Sequence, residues 1–154
     1  MEKVPVAQEL LEKVKMDEAA FLSYLNKLSK NTLFETLDIQ YVSISPDCLV
    51  MSMPVTAKNH QPMGLLHGGA SVVLAETAAS MATLLNLDIE SQACVGMEIN
   101  ANHIRSKKEG LLIATATPLH RGRTTMVWDI KLTDEDEKLI CVSRCTMAVI
   151  KRPD

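Results

Sequence analysis

The sequence predicts an α+β domain in which one long buried helix is wrapped by a curved antiparallel sheet of about six strands. The first observation behind this prediction is the run over residues 68–85, which is apolar or small on nearly every side, as in an enclosed helix. The second is the order of elements, because two strand-like runs precede this helix and four follow it. One sheet curved around the helix would cover the helix and one face of every strand.

The composition is that of a single globular domain. With 154 residues the chain can bury one core but not two. A net charge of -3, with only one Trp, two Tyr and two Phe, offers little to phosphates or bases, so we expect no nucleic-acid partner. No Cys-x-x-Cys pair occurs and the start is charged, so we expect free thiols, a cytoplasmic location and no membrane partner.

Residues 1–30 are expected to form an N-terminal helical arm outside the main domain, which we place at residues 31–154. Their apolar residues recur at helical spacing, with Lys and Glu between them. Asn31 or Thr32 is a suitable cap for a short second helix that ends at Leu37. Two strand-like runs follow at residues 37–45 and 48–55, and the turn-forming pair Pro46-Asp47 separates them.

The remaining elements are the long helix and four strands. Polar residues interrupt the helix, and its length falls short of a bilayer span. Polar connections suited to hairpins separate the strand-like segments at residues 93–104, 111–119, 125–133 and 139–150. We expect Trp128 to lie in the core, and Cys141 and Cys145 to share one strand face as small hydrophobic residues.

The long helix carries one carboxylate, Glu76, inside its apolar run. A buried ionised carboxylate is costly without partners, and perturbed carboxylates are concentrated at functional sites. The alternative is a structural glutamate that is bound by nearby Ser or Thr, or that points out through a gap in the sheet. The glycine pair favours a site, because Gly68 and Gly69 leave N–H groups of the helix N-terminus open to a developing oxyanion.

Three more polar residues accompany this pair. Gln61 and His67 place an amide and an imidazole before the helix, where either can orient a carbonyl or a water, and Ser80 follows Glu76 by one turn. Glu76 is about 12 Å along the helix from Gly68, so one carbonyl cannot contact both within a chain. We therefore expect a homodimer in which two such helices lie antiparallel and form two equivalent sites.

The ordered pattern Q-P-x-G-x-x-H-G-G-x-x-x-x-L-A-E-x-x-x-S, followed by EINANHIRS and PLHRGRTTMVWDI, resembles the hotdog-fold acyl-CoA thioesterases. The similarity covers residues 32–151 and is to the branch of phenylacetate-pathway, hydroxybenzoyl-CoA and dihydroxynaphthoyl-CoA thioesterases. It implies a hotdog fold whose dimers pair again into tetramers. It also implies that Glu76 is the nucleophile or the base for water, and that the Gly68 N–H polarises the thioester carbonyl. In this family Gln61 and His67 would orient that carbonyl, while Ser80 would help to place the water or the carboxylate.

The resemblance also indicates where the substrate would bind. Arg105, Arg121 and Arg123 match surface regions that hold the coenzyme A nucleotide, and guanidinium groups suit its phosphates. Each arginine taken singly is also explained as a solvated charge on a turn. Five further binding candidates are Gly69, Asn102, His103, Met63 and Met81. Asn102 and His103 match a polar stretch near the pocket, although solvent exposure on a strand explains them equally well. Met63 and Met81 lie near enough to line an acyl pocket.

These residues together predict an acyl-CoA thioesterase that acts on an aryl- or medium-chain acyl-CoA. Thioester hydrolysis needs a carboxylate and a donor to the carbonyl oxygen, and it requires no metal or other cofactor. The alternatives are a non-catalytic acyl-CoA-binding hotdog protein and a hotdog hydratase or dehydratase. A structural oligomer, in which Glu76 is merely hydrogen-bonded, is the remaining alternative.

Overall fold

The computed structural model describes residues 18–88 and 90–152. Its helices and strands are, in chain order, α1 (Glu18–Leu28), α2 (Leu33–Leu37), β1 (Gln40–Ile44), β2 (Leu49–Pro54), a 3-10 turn (Ala57–Asn59), α3 (Gly68–Leu84), β3 (Gln92–His103), β4 (Leu111–Arg121), β5 (Thr125–Thr133) and β6 (Leu139–Lys151). The predicted order of two strands, one long helix and four strands is confirmed.

The largest shift of a predicted boundary occurs at the start of β1. The Thr32 hydroxyl accepts the Phe34 N–H and caps α2, as one of the two predicted caps. Asp38 then ends α2 in the left-handed region, with φ 54° and its N–H directed to the Glu35 carbonyl. Residues 37 and 38 therefore close a helix, and the strand that was expected from residue 37 begins at Gln40.

All six strands form one antiparallel sheet in the order β1-β2-β4-β5-β6-β3. Buried residues alternate with more exposed ones along β2, β4 and β5, so one face of the sheet is covered. The helix α3 packs on this face against β2, β3, β4, β5 and β6. Within the described chain β3 pairs only with β6, so its other edge is open.

The described part of the N-terminal arm packs on the sheet. Phe21 and Leu25 of α1 are buried in the core, and the Asn26 side-chain oxygen accepts the N–H of Tyr41 in β1 (3.0 Å). The helix α1 thus covers β1, at the edge of the sheet opposite β3. Residues 1–17 of the predicted arm lie outside the described residues.

The prediction that α3 is buried on every side is wrong for the single chain. The buried side of α3 is formed by Ser71, Leu74, Ala75, Ala78, Ala79, Ala82 and Thr83. The other side, which includes Val73, Glu76 and Ser80, is half-buried or exposed. A sheet of six strands covers only one side of the helix, and an apolar pattern does not reveal whether the same chain or another covers the second side.

The predicted structural roles of the Trp and of two cysteines are confirmed. Trp128 is fully buried and donates its Nε1–H to the Thr83 hydroxyl (2.8 Å). Cys141 and Cys145 are buried and free, and Cys48 and Cys94 are free as well. Among residues 18–88 and 90–152, no helix is both long enough and apolar enough to cross a membrane.

Candidate active site

The imidazole of His67 caps the N-terminus of α3. The backbone of His67 is extended (φ -69°, ψ 128°), and its Nδ1 accepts the N–H of Gly69 at 2.8 Å. Because Nδ1 acts as the acceptor, the proton of the neutral ring is on Nε2. His67 is exposed, so this Nε2–H can donate to a ligand.

The N–H of Gly68 is the open donor at this terminus. Gly68 is the first residue of α3, and no hydrogen bond to its N–H is found among residues 18–88 and 90–152. The ring of His103, at the end of β3, lies over Gly68, since a Cβ at Gly68 would be 3.1 Å from its Cε1. The structure thus brings four predicted residues together at one end of the helix: His67, Gly68, Gly69 and His103.

The segment before the helix is a closed loop that contains Gln61. The side-chain oxygen of Gln61 accepts the N–H of Met63, and its backbone N–H donates to the Leu65 carbonyl (2.8 Å). Gly64 turns the loop with φ 75°. The oxygen of the Gln61 amide is therefore engaged in the loop, and its NH2 group is the part suited to donate to a substrate carbonyl. Met63 is 82% exposed in the single chain.

The Glu76 carboxylate lies on the uncovered side of α3, against β3. Its Oε1 is 2.7 Å from the position that a Cβ on Gly96 would occupy. Glu76 is exposed, so the prediction that it is buried is wrong for the single chain. The reason is that the sheet of the same chain leaves this side of α3 uncovered. The structural alternative of a glutamate bound by Ser or Thr is not what the chain shows, because no hydrogen bond to its carboxylate is found among the described residues. The exposure of Glu76 agrees with the other structural alternative, a side chain that points outward.

Ser80 lies one turn beyond Glu76 and faces sulfur atoms. Its hydroxyl is 3.9 Å from the Met147 sulfur, and its carbonyl accepts the Cys94 thiol at 3.8 Å. Burial raises the pKa of the nearby Cys145 thiol to about 12, and the Glu76 charge adds to this rise. These thiols are therefore neutral hydrophobic neighbours of the carboxylate rather than nucleophiles.

The predicted residues thus form two groups along α3 rather than one site. The donors lie at the helix N-terminus, and the carboxylate with Ser80 lies eight or more residues further along, about 12 Å away. Met81 is half-buried against the core, and Asn102 is exposed on β3. No cluster of three His, Cys, Asp or Glu side chains that could hold a metal ion is found in the described ranges 18–88 and 90–152.

The predicted arginines lie at opposite ends of α3. Arg121 forms an ion pair with Asp47 and donates to the Asn86 side-chain oxygen (2.9 Å), so it ties the β1–β2 turn to the end of the helix. Arg123 is exposed nearby, beside a cavity of about 290 Å³ that Arg121 and Gln92 also line. Arg105 is exposed beyond β3 and donates to the Leu139 carbonyl (3.1 Å).

Two residues that adjoin the candidate site residues were missed from the sequence. Gly96 contacts the Glu76 carboxylate, and a glycine inside a strand pattern is a known signal of close approach by another group. Asn59 is buried, its amide donates to the Pro54 carbonyl, and its own carbonyl accepts the His67 N–H (2.9 Å). A lone Asn before the loop carried no signal that would have singled it out.

A curved sheet around one helix, with a carboxylate on the helix and a glycine pair at its start, defines the class of hotdog-fold thioesterases. The sequence pattern of the Thioesterase superfamily matches residues 63–141. The chain belongs to this family and is a thioester hydrolase.

This chain is similar to a named aryl-CoA hydrolase and to two thioesterases whose structures have been solved. A 1,4-dihydroxy-2-naphthoyl-CoA hydrolase of Listeria monocytogenes is 52% identical over 120 residues, which are 78% of this chain and 97% of that protein. A thioesterase of Pseudomonas aeruginosa, solved with one Gln replaced by Ala, is 47% identical with a TM-score of 0.83, over 85% of this chain and 94% of that one.

A Staphylococcus aureus thioesterase, 45% identical, was solved as a Glu-to-Ala and as a Gln-to-Ala variant. Its TM-scores to this chain are 0.76 and 0.75, over 78% and 76% of this chain and 99% and 97% of the relative. The two replaced residues are 15 positions apart.

Proposed function

We propose that this enzyme hydrolyses the thioester of an acyl-CoA to the free acid and coenzyme A, with Glu76 as nucleophile or general base. The observation that carries the proposal is the position of the Glu76 carboxylate, which is held against Gly96 on the uncovered side of an apolar helix. The substrate we propose is an aryl- or medium-chain acyl-CoA. The name of the Listeria relative, an aryl-CoA hydrolase, supports the aryl group and the coenzyme A.

The other polar groups have separate roles in this reaction. The open Gly68 N–H, at the positive end of the α3 dipole, donates to the thioester carbonyl and stabilises the negative charge that develops there. The Nε2–H of His67 and the NH2 group of Gln61 orient the same carbonyl. Gln61 and Glu76 are 15 positions apart, the separation of the two residues replaced in the Staphylococcus relative.

The two groups of residues meet when two chains pair. We infer a homodimer in which the α3 helices lie antiparallel about a two-fold axis near residue 72, so that Gly68 of one chain faces the partner's Glu76. The uncovered side of α3 and the open edge of β3 supply the surface for this pairing. A second pairing of dimers into a tetramer would use the outer face of the sheet.

The same pairing would bring the arginines near the coenzyme A part of the substrate. The C-terminal end of each α3, where Arg121 and Arg123 lie, comes near the Gln61 loop of the other chain. Arg123 is exposed and is the stronger candidate for a phosphate contact, whereas Arg121 already binds Asp47 and Asn86. Arg105 lies beside the His103 end of β3. Asn102, His103, Met63 and Met81 complete the proposed substrate surface.

The test is release of free thiol from a panel of aroyl-, phenylacetyl- and straight-chain acyl-CoA substrates. We expect Glu76→Gln to lower kcat by at least ~100-fold, the scale for loss of a base or nucleophile. The matched control is Glu109→Gln, an exposed loop carboxylate, which should keep the wild-type rate. A wild-type rate for Glu76→Gln would contradict the proposal, and substrate turnover without thiol release would indicate a hydratase or dehydratase instead.

A single turnover in ¹⁸O-labelled water can identify nucleophilic attack by Glu76. Label in the Glu76 carboxylate marks an acyl-enzyme anhydride and hence nucleophilic attack. Label confined to the product acid is expected for general-base attack by water, or for an anhydride opened at its acyl carbon.

A further inference from the structure

The space that holds the Glu76 carboxylate exists because residue 96 has no side chain. A Cβ on Gly96 would lie 2.7 Å from Glu76 Oε1 and 3.7 Å from its carboxyl carbon. Ordinary contacts of a Cβ begin at 3.4 Å, so a methyl group and the carboxylate cannot both occupy their places. We call this space the Gly96 niche.

The backbone does not explain the glycine. Among the described residues the glycines with positive φ are Gly64 and Gly110, so Gly96 has a conformation that alanine also adopts. A glycine inside a strand weakens the strand relative to residues with side chains. A local cost of this kind is expected where function, rather than folding, selects the residue.

The strand is also irregular at this point. The β3–β6 register shifts between Gly96, which pairs with Met147, and Glu98, which pairs with Thr146, so Met97 forms a bulge. Bulges bend a strand and often lie next to active sites. Two residues earlier, the Cys94 thiol contacts the Ser80 carbonyl at 3.8 Å, so the strand is held against α3 beside the niche.

We propose that Gly96 is a positioning residue for thioester hydrolysis, because the Gly96 niche sets the place of the Glu76 carboxylate relative to the substrate carbonyl. This inference rests on the proposed catalytic role of Glu76. A methyl group at residue 96 would displace Oε1 by about 0.7 Å, from 2.7 Å to the 3.4 Å of an ordinary contact. Displacement of a reacting group by about 1 Å can cost ~100-fold in rate.

The effect on folding should be small, because the atom that must move is the end of an exposed side chain. The experiment compares Gly96→Ala with wild type for kcat, KM, thermal midpoint and oligomeric state. We expect kcat to fall about 10- to 100-fold with KM changed by less than about 3-fold. The thermal midpoint and the oligomeric state should stay the same.

The matched control is Val95→Ala, on the same edge strand but with its side chain on the opposite face. It should keep the wild-type kcat, which separates the niche from a general disturbance of β3. Unchanged kcat in Gly96→Ala would overturn the inference. Loss of folding or of assembly in Gly96→Ala would overturn it too, since the space would then serve the sheet.

A double-mutant cycle with Glu76→Asp tests whether Gly96 acts through the carboxylate. Aspartate is one methylene shorter and withdraws the carboxylate from the niche, so the methyl group of Gly96→Ala should then matter little. We expect the Gly96→Ala loss in kcat to shrink at least about 5-fold in the Glu76→Asp background. Additive losses would overturn the inference.

The failure of this inference is distinct from failure of the proposed function. If Glu76→Gln hydrolyses acyl-CoA at the wild-type rate, the catalytic role of Glu76 fails, and that of the Gly96 niche with it. If Glu76→Gln is inactive while Gly96→Ala is fully active, only the positioning role of Gly96 fails.

Discussion

The indole of Trp128 binds α3 to the sheet. Its Nε1–H donates to the hydroxyl of Thr83, which in turn donates to the Ala79 carbonyl (2.8 Å). Both Trp128 and Thr83 are fully buried, so no water can replace this acceptor. This hydrogen bond ties the C-terminal part of α3 to β5.

We predict that Thr83→Val lowers the free energy of unfolding by about 1–3 kcal/mol, the cost of a buried donor without an acceptor. Denaturant unfolding monitored by Trp fluorescence measures this loss. Thr83→Ser keeps the hydroxyl and should recover most of the stability. A Thr83→Val variant as stable as wild type would show that this hydrogen bond contributes little to stability.

Burial of single residues was largely predictable, whereas contacts between distant residues were not. Trp128, Cys141 and Cys145 follow from strand alternation, which assigns a face from local sequence alone. The contact of Glu76 with Gly96 joins a helix to a strand 20 positions later, and no periodicity encodes it. The exposure of Glu76 was wrongly predicted because it depends on which side of α3 the sheet covers.

At the level of elements, the loop that precedes α3 is hydrogen-bonded to the loop between β3 and β4. The Leu66 N–H donates to the Lys107 carbonyl (2.8 Å), and the His60 ring bonds to the Lys108 carbonyl (2.8 Å). The Lys107 ammonium is in turn 2.6 Å from the Glu135 carboxylate, in the β5–β6 hairpin. Mainly through this hydrogen bond, Lys107 lowers the pKa of Glu135 to about 2. The hairpin thus supports the loop that contains Gln61 and His67.

This ion pair predicts a pH dependence of stability. Because the folded-state pKa of Glu135 is below its ordinary value of 4.5, the folded chain binds fewer protons there. The stabilisation is present above about pH 4.5 and is lost as the pH falls through about 2. Glu135→Gln should lower the urea midpoint at pH 7, and its difference from wild type should vanish near pH 2.

The matched control for this pH dependence is Glu137→Gln, in the same hairpin. Its midpoint should follow that of wild type at every pH. A difference between Glu135→Gln and wild type that persists unchanged at pH 2 would show that the carboxylate charge is not the cause.

Element types were predictable and their neighbours were not. Hydrophobic alternation and polar separators located all six strands, because those signals are local. The hairpin expected between the segments at residues 93–104 and 111–119 is wrong, because β3 pairs with β6 instead of β4, the strand that follows it. The sheet order depends on which pairing covers α3, and that is a property of the whole fold.

For the whole molecule, the central prediction is that each active site uses two chains. Gly68→Pro removes the proposed carbonyl donor at the first helical position, where the backbone accepts proline and the His103 ring must move by a few tenths of an ångström to admit the new Cβ. Glu76→Gln removes the carboxylate. Each variant alone should be inactive, but unfolding and refolding them together should restore about a quarter of wild-type activity, since half of random dimers carry one intact site.

A mixture that stays inactive while forming mixed dimers would place both groups in one chain and contradict the shared site. The control is a refolded mixture of Glu76→Gln with Glu76→Ala, in which no intact site can form. Mass spectrometry of the assembled species measures the fraction of mixed dimers in each sample.

The pairing of β3 with β6 also bears on how the enzyme is made. Gly96 lies opposite Met147, about fifty residues later in the chain. During synthesis, α3 and β3 leave the ribosome well before the strand that holds β3 in place. A nascent or prematurely terminated chain therefore carries Glu76 without β6, the strand that pairs with β3. Glu76 should therefore reach its place on the sheet only after β6 has been synthesised.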